Sequence, residues 1–302
     1  REIKIKMTSI NETVKLGDGN KIPLLGFGCL DIGERGEETG YNAVLTALKA
    51  GYRLVDTAAA YGNEESVGKA LKDGSIKREE MFVVTKLHPG KHGFESVKES
   101  LEDSLRKLGL EYVDLFLIHT PVPGRVLESW KSLIELKKEG KTKSIGVSNF
   151  NGDHIQAILD AGLEKPAINQ FELHPVFRRD EVVKYCRDNG ITIMAYCPLA
   201  RGRFLKPGDC PLIEEIATKL NKSVSKIFLH WALQNQFVII PKSANVGRIR
   251  DNSELFDFEI SKKDMTRIAN MDMDISVCEA SAVMKFPWNH IKDFDKPGEV
   301  DI

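Results

Sequence analysis

Asp56 and Tyr61 lie in RLVDTAAAYGNEE, Lys86 closes MFVVTK and His119 closes VDLFLIH. Each segment is an apolar, β-branched-rich run that stops at a polar or ionisable residue, as a buried strand does when it delivers a side chain to the mouth of a barrel. The four residue types suit proton transfer. A phenol titrates near ~10 in isolation, so Tyr61 donates a proton near neutral pH only if a neighbouring cation stabilises its phenolate. Lys86 is the candidate cation. A partly buried ammonium needs a partner to offset its desolvation, and Asp56 supplies a carboxylate on the same set of strand ends. His119 can orient a carbonyl oxygen. Each residue alone has a blander explanation: Tyr61 a rim aromatic, Asp56 the cap of the helix begun by NEESVGKALKD, Lys86 a solvated strand terminus, His119 a satisfied core histidine. The conjunction is what carries weight.

The elements that must position these groups follow from periodicity. TVKLGDGNKIPLLGFG alternates apolar residues around Gly17-Asp18-Gly19-Asn20, which predicts a β-hairpin capping the bottom of a barrel. Strand-like runs then begin near Leu24, Arg53, Met81, Val113, Ser144, Ala167, Ile191 and Phe237, separated by helical patterns such as TGYNAVLTALKAG and GFESVKESLEDSLRKLG. Eight βα units predict an α/β fold of the (β/α)8 TIM-barrel type, one domain over residues 1–302. An open doubly wound sheet would call for G-x-G-x-x-G after its first strand; Gly26-Phe27-Gly28 is followed by Cys29, Leu30 and Asp31 instead. Those glycines suit close backbone approach at a barrel rim. The longest interval, before the last strand, holds ARGRFLKPGDCP, the kind of loop that covers a ligand, ahead of a helix PLIEEIATKLN.

Composition narrows the function classes. Lys and Arg total 43 against 44 Asp and Glu, a formal net charge of -1, which gives no long-range field for nucleic acid or an anionic membrane. No run of eighteen apolar residues supplies a membrane span. The five cysteines, Cys29, Cys186, Cys197, Cys210 and Cys278, are scattered without a C-x-x-C pair or a ligand spacing to histidine, so reduced thiols and a cytoplasmic, monomeric protein are expected. REIKIK, ahead of Met7, reads as a cloning remnant or a processed extension.

The chain resembles the aldo-keto reductases. Their Asp, Tyr, Lys and His tetrad matches Asp56, Tyr61, Lys86 and His119, and LLGFG, GYRLVDTA with YGNEE, DLFLIH, SIGVSNF, INQFELHP, AYCPLARG and IPKSANVGRIRDN follow in order. The resemblance implies NADPH-dependent reduction of aldehydes or ketones, with Tyr61 as proton donor. It also implies cofactor contacts: Lys242 and Arg248 on the 2′-phosphate; Ser243, Asn245, Asp251 and Asn252 on that phosphate or the adenine; Ser148, Asn149 and Gln170 on the carboxamide; Tyr196 stacked on the nicotinamide, bordered by Cys197 and Leu199. The residues alone allow this, because loops after the last barrel strands commonly bind phosphate, and cations near a helix start suit a monoester.

The sequence departs from the family where many relatives surround the substrate with tryptophan. Leu30, His88 and Thr120 occupy those positions, which predicts a less aromatic mouth. Cys29 and Cys197 replace hydroxyl residues and are expected to border the cofactor channel. The tail MDISVCEASAVMKFPWNHIKDF is expected to wrap over the mouth, with Cys278 in the substrate pocket and Phe286 and Trp288 lining it or anchoring the tail. Two other readings compete: a non-catalytic NADPH-binding regulatory barrel, whose tetrad would have decayed, and a metal-dependent barrel hydrolase, which needs more strand-end ligands than His119.

Overall fold

The computed structural model describes residues 9–32, 37–122, 124–271 and 273–285. REIKIK and the pair Phe286 and Trp288 lie outside the described residues.

Residues 13–23 form the expected hairpin, β1 (Thr13–Lys15) antiparallel to β2 (Lys21–Pro23). Eight parallel strands follow: β3 (Gly26–Gly28), β4 (Leu54–Asp56), β5 (Phe82–Leu87), β6 (Val113–Ile118), β7 (Thr142–Ser148), β8 (Ile168–Glu172), β9 (Thr192–Tyr196) and β10 (Val238–Ile239). They pair in chain order from β3 to β10. A parallel bridge between Leu25 and Ile239 brings the ends together, with the Ile239 N–H donating to the Leu24 carbonyl at 2.8 Å and the Gly28 N–H to that of Pro241 at 3.2 Å. The result is the (β/α)8 barrel that periodicity predicted. Glycine makes the seam possible: a Cβ on Gly28 would meet the Ile240 carbonyl oxygen at 2.7 Å, and one on Gly26 the Ile240 side chain at 3.0 Å.

Every residue of β5 and β6 is buried, as expected of parallel strands covered on both faces, which read as continuous apolar runs. The helices are α1 (Glu37–Lys49), α2 (Glu64–Asp73), α3 (Phe94–Leu108), α4 (Val126–Lys138), α5 (Gly152–Asp160), α6 (Asp180–Asp188), α7 (Pro211–Leu220), α8 (Val224–Gln234), α9 (Val246–Asp251) and α10 (Lys262–Ala269). In α3, Val97, Leu101, Leu105 and Leu108 make one buried stripe at helical spacing, and each such side chain contributes about 1.5–3 kcal/mol by leaving water. The long interval before β10 holds two helices, α7 and α8; the sequence reading distinguished only the first, because α8 is apolar nearly all round and lacks a clean periodicity.

The hairpin covers the barrel's bottom. Asn20 donates from Nδ2 to the Lys143 carbonyl and to Ser144 Oγ, near the N-terminal end of β7. The opposite end, where β4 to β9 finish, carries the groups of chemical interest. Among the described residues no helix is long and apolar enough to cross a membrane.

Candidate active site

Three consecutive strands and the turn after the first of them bring the tetrad to the mouth. Asp56 ends β4, Lys86 is the penultimate residue of β5, and His119 directly follows β6. Tyr61 arrives on a one-turn helix, Ala59–Tyr61, closed by Gly62 at φ 63°, a left-handed position that suits glycine. Lys86 is fully buried, neither solvated nor a strand terminus in water. Its Nζ donates to Asp56 Oδ1 at 2.6 Å, to the Thr57 carbonyl at 2.9 Å and to the Tyr61 phenol oxygen at 3.2 Å. An ammonium has three N–H donors, so all are used. Asp56 is not a helix cap; its second oxygen accepts from Gln170 Nε2 at 2.7 Å, while Asn63 stands at the start of α2.

The phenol oxygen of Tyr61 therefore accepts from Lys86, and its own O–H has no acceptor among the described residues. Burial first, and then the Asp56 carboxylate, hold the phenol well above its usual range. Sequence reasoning expected Lys86 to bring it down. The cation is instead neutralised by Asp56 at 2.6 Å, so the pair acts on the phenol more as a dipole than as a free charge. Tyr61 rests protonated. The His119 ring lies edge-on to Tyr61 with centroids 5.6 Å apart. Burial, then Lys86 and His88, push its pKa down to about 3, so the imidazole is neutral and its buried Nδ1 has no partner.

A hydrogen-bonded row continues around the rim. The Tyr196 hydroxyl donates to Asn149 Oδ1 at 2.8 Å, and Asn149 Nδ2 donates to the His119 carbonyl at 3.1 Å and to Ser148 Oγ at 3.2 Å. Ser148, Asn149, Gln170 and Tyr196 are thus brought beside the tetrad from β7, β8 and β9. Beyond Tyr196 the backbone turns sharply: Cys197, Ala200 and Arg201 all take left-handed φ angles of 47°, 47° and 51°, a strained run for residues other than glycine. Leu199 sits half-buried within it. Arg201 then reaches Asp31, after β3, at 3.3 Å, so this loop spans the rim.

Past β10, Lys242 and Arg248 are exposed, and neither is in an ion pair with a described carboxylate. Asp251 and Glu254, which could have claimed them, are held by Lys226 at 3.0 Å each. Arg248 Nε lies 3.4 Å from Ser243 Oγ, and Asn245 caps α9 by accepting the Arg248 N–H at 3.0 Å. Two unclaimed cations flanking a hydroxyl fit a phosphate monoester. Asn252 is buried at the end of α9.

Of the three residues that stand where many relatives carry tryptophan, Leu30 and His88 are exposed and Thr120 is half-buried. His88 accepts the Gly90 N–H on Nδ1 at 3.0 Å, and Thr120 accepts the Val122 N–H at 3.3 Å. Cys29, expected to border an open channel, is fully buried. Its sulfur hydrogen-bonds the Phe27 carbonyl at 3.9 Å, and its backbone is tied to the neighbouring loop: Asn63 Nδ2 donates to the Cys29 carbonyl at 2.7 Å, and Thr57 Oγ1 donates to Asn63 Oδ1 at 2.6 Å.

The tail crosses the mouth as expected over its described part. Ile275 N–H donates to the Val176 carbonyl at 3.1 Å, and Asn151 Nδ2 to that of Met284 at 3.0 Å. Its anchor was missed in the sequence. Glu172, the fully buried last residue of β8, accepts from the Val277 N–H at 2.6 Å, Ser276 Oγ at 2.7 Å and the Cys278 N–H at 3.3 Å. His174 Nε2 lies against it at 3.1 Å. Asn63 and the buried Glu64, which takes hydrogen bonds from Thr85 and Ser104, were missed as well. The signal was a carboxylate inside the apolar runs INQFELHP and YGNEESV, where burial requires partners.

The match to known proteins is broad. The family model described as the aldo/keto reductase family matches residues 24–272. The glyoxal reductase of Bacillus subtilis is 40% identical over 267 residues, covering 88% of this chain and 95% of that protein. The methylglyoxal reductase DkgA of Escherichia coli K12 is 42% identical over 261 residues, covering 86% and 93% respectively. A crystal structure of a Bombyx mori aldo-keto reductase in complex with NADP superposes with a TM-score of 0.83 at 34% identity, covering 93% of this chain and 98% of that one. With its barrel, its mouth-side row of polar groups and this match over most of its length, the chain belongs to the aldo-keto reductase family.

Proposed function

We propose that this chain reduces small aldehydes and α-dicarbonyls to alcohols with NADPH, and that Tyr61 is the proton donor. The observation that carries the reading is the three-way use of the Lys86 ammonium, on Asp56, Thr57 and the Tyr61 oxygen. It leaves the phenol proton as the acidic group facing the mouth, and it leaves a cation 3.2 Å from the oxygen that becomes negative when that proton departs. The neutral His119 orients the carbonyl oxygen without competing as an acid. Lys242, Ser243, Arg248 and Asn245 would hold the 2′-phosphate, with Asp251 and Asn252 toward the adenine. Ser148, Asn149 and Gln170 would hold the carboxamide, and Tyr196, with Cys197 and Leu199, the nicotinamide face. When bound, the cofactor supplies the hydride. Leu30, His88, Thr120 and Cys278 would line the mouth, and none of these four is a large aromatic, which favours small, functionalised carbonyls; the glyoxal and methylglyoxal reductases among the relatives point the same way.

A panel of aldehydes, α-dicarbonyls, sugars and ketones, followed by NADPH absorbance, tests the reading. The highest kcat/KM is expected for the short aldehydes and α-dicarbonyls; failure of all of them to consume NADPH would refute it. We further propose a cytoplasmic monomer, its scattered cysteines suiting a reducing compartment; sedimentation as a dimer would contradict the monomer.

A further inference from the structure

Cys197 and Cys278 are 81 positions apart in the chain, yet their sulfurs stand 2.9 Å apart. Cys29, Cys186 and Cys210 are buried, whereas these two thiols are only partly so. Both are held in place. Cys197 follows Tyr196 at the end of β9, in the left-handed turn at φ 47°. The Cys278 backbone is fixed by Glu172, which accepts its N–H, the Val277 N–H and the Ser276 hydroxyl. A disulfide bond is about 2.05 Å long, so the sulfurs need to close by roughly 1 Å while the backbones stay anchored.

We propose that Cys197 and Cys278 form an oxidation site that reacts with a peroxide and closes a disulfide between β9 and the tail. Cys278 attacks first. The Cys197 S–H hydrogen bond, foremost, and the Arg201 guanidinium draw its pKa below the usual thiol range, although burial and Glu172 oppose them. Cys197 keeps its proton, raised by its bond to Cys278 and by burial. The Cys278 thiolate attacks one peroxide oxygen, the O–O bond breaks, and the departing hydroxide takes a proton to become water. Cys197 then attacks the sulfenic sulfur of Cys278; the S–S bond forms, the S–O bond breaks, and the Cys197 proton leaves with that hydroxide as a second water. Two thiols lose two electrons and the peroxide gains them.

The consequence rests on the proposed function. The cross-link ties the residue after Tyr196 to the tail above the substrate side, so the tail can no longer yield to a larger carbonyl. Oxidation therefore narrows the accepted size rather than abolishing turnover.

The test treats the full chain with hydrogen peroxide, maps disulfides by peptide mass spectrometry, and reverses them with dithiothreitol. Expected is one cross-link joining Cys197 to Cys278, a loss of two hydrogens in intact mass, and recovery on reduction; Cys197→Ser and Cys278→Ser each fail to form it. In the oxidised parent, the ratio of kcat/KM for a short aliphatic over a bulky aromatic aldehyde rises several-fold and returns with dithiothreitol, whereas in each serine variant, compared with its own untreated sample, it does not move. Cross-links through Cys29, Cys186 or Cys210, or sulfinic acid at Cys278 with no bond to Cys197, overturn the proposal. The mass measurement does not depend on activity, so an enzyme that reduces no carbonyl would refute the proposed function while leaving the cross-link decided on its own.

Discussion

Asp56→Asn should destabilise the protein far beyond the loss of one hydrogen bond. Asp56 is 2% exposed and Lys86 fully buried, with nitrogen and oxygen 2.6 Å apart. Removing one partner of a buried pair leaves an uncompensated charge and typically costs about 3–5 kcal/mol. Lys86 would keep two neutral acceptors, Thr57 and Tyr61, which places the expected loss near the lower bound. At roughly 2–4 °C per kcal/mol for chains approaching this size, the midpoint should fall by about 6–12 °C. Lys86→Met should also destabilise, because it strands the Asp56 carboxylate with Gln170 as its remaining donor. In Asp56→Asn/Lys86→Met neither charge of the pair remains, so the two losses should not add; a coupling of about 2–3 kcal/mol is expected. Urea melts of the four proteins near neutral pH measure the cycle. A double variant whose loss equals the sum of the single losses within about 0.5 kcal/mol would refute the reasoning, since independent sites add to that tolerance.

Arg248→Ala should weaken NADPH by about 1.5–3 kcal/mol, the contribution of a charge-assisted contact, and hardly alter NADH; equal losses in a fluorescence titration would contradict the phosphate assignment. Acid stability should reflect two histidines, the buried His92 and the half-buried His119, whose pKa values desolvation lowers from 6.5 to about 4 and about 3. Above pH 6.5 both are neutral folded and unfolded, and contribute nothing. As the pH falls below 6.5, only the unfolded chain takes up these protons, so stability drops by up to about 1.4 kcal/mol per pH unit per histidine. His92→Gln should make that decline shallower in urea melts, and an unchanged slope would exclude His92 as a cause. Thr120→Trp should lower kcat/KM for a bulky aromatic aldehyde more than for a short aliphatic one while leaving NADPH affinity unchanged; an unaltered ratio would remove position 120 from the substrate side.

The barrel was legible because parallel strands buried on both faces write themselves as apolar runs, and the strands begin within two residues of the positions periodicity indicates. The tetrad was legible because each such run ends on a residue out of keeping with it. Other features depend on contacts between segments distant in sequence, to which periodicity is blind. Glu172 holds residues more than a hundred positions away. The Asn63 and Thr57 bridge that ties down the Cys29 backbone gives no periodic signal, and neither does the burial of its thiol. The protonated state of Tyr61 depends first on its burial and then on the nearness of the Asp56 carboxylate, neither of which residue types encode.

The central claim is that Tyr61 gives the proton while other groups hold the cofactor. Tyr61→Phe, compared with the parent for NADPH affinity by fluorescence titration and for carbonyl reduction by single-turnover absorbance, tests it most directly. Affinity should be nearly unchanged and the reduction rate lower by about 10²–10⁴, the scale of general acid catalysis. A rate within about tenfold of the parent, with NADPH still bound, would contradict it, because a loss that small lies below what a general acid supplies.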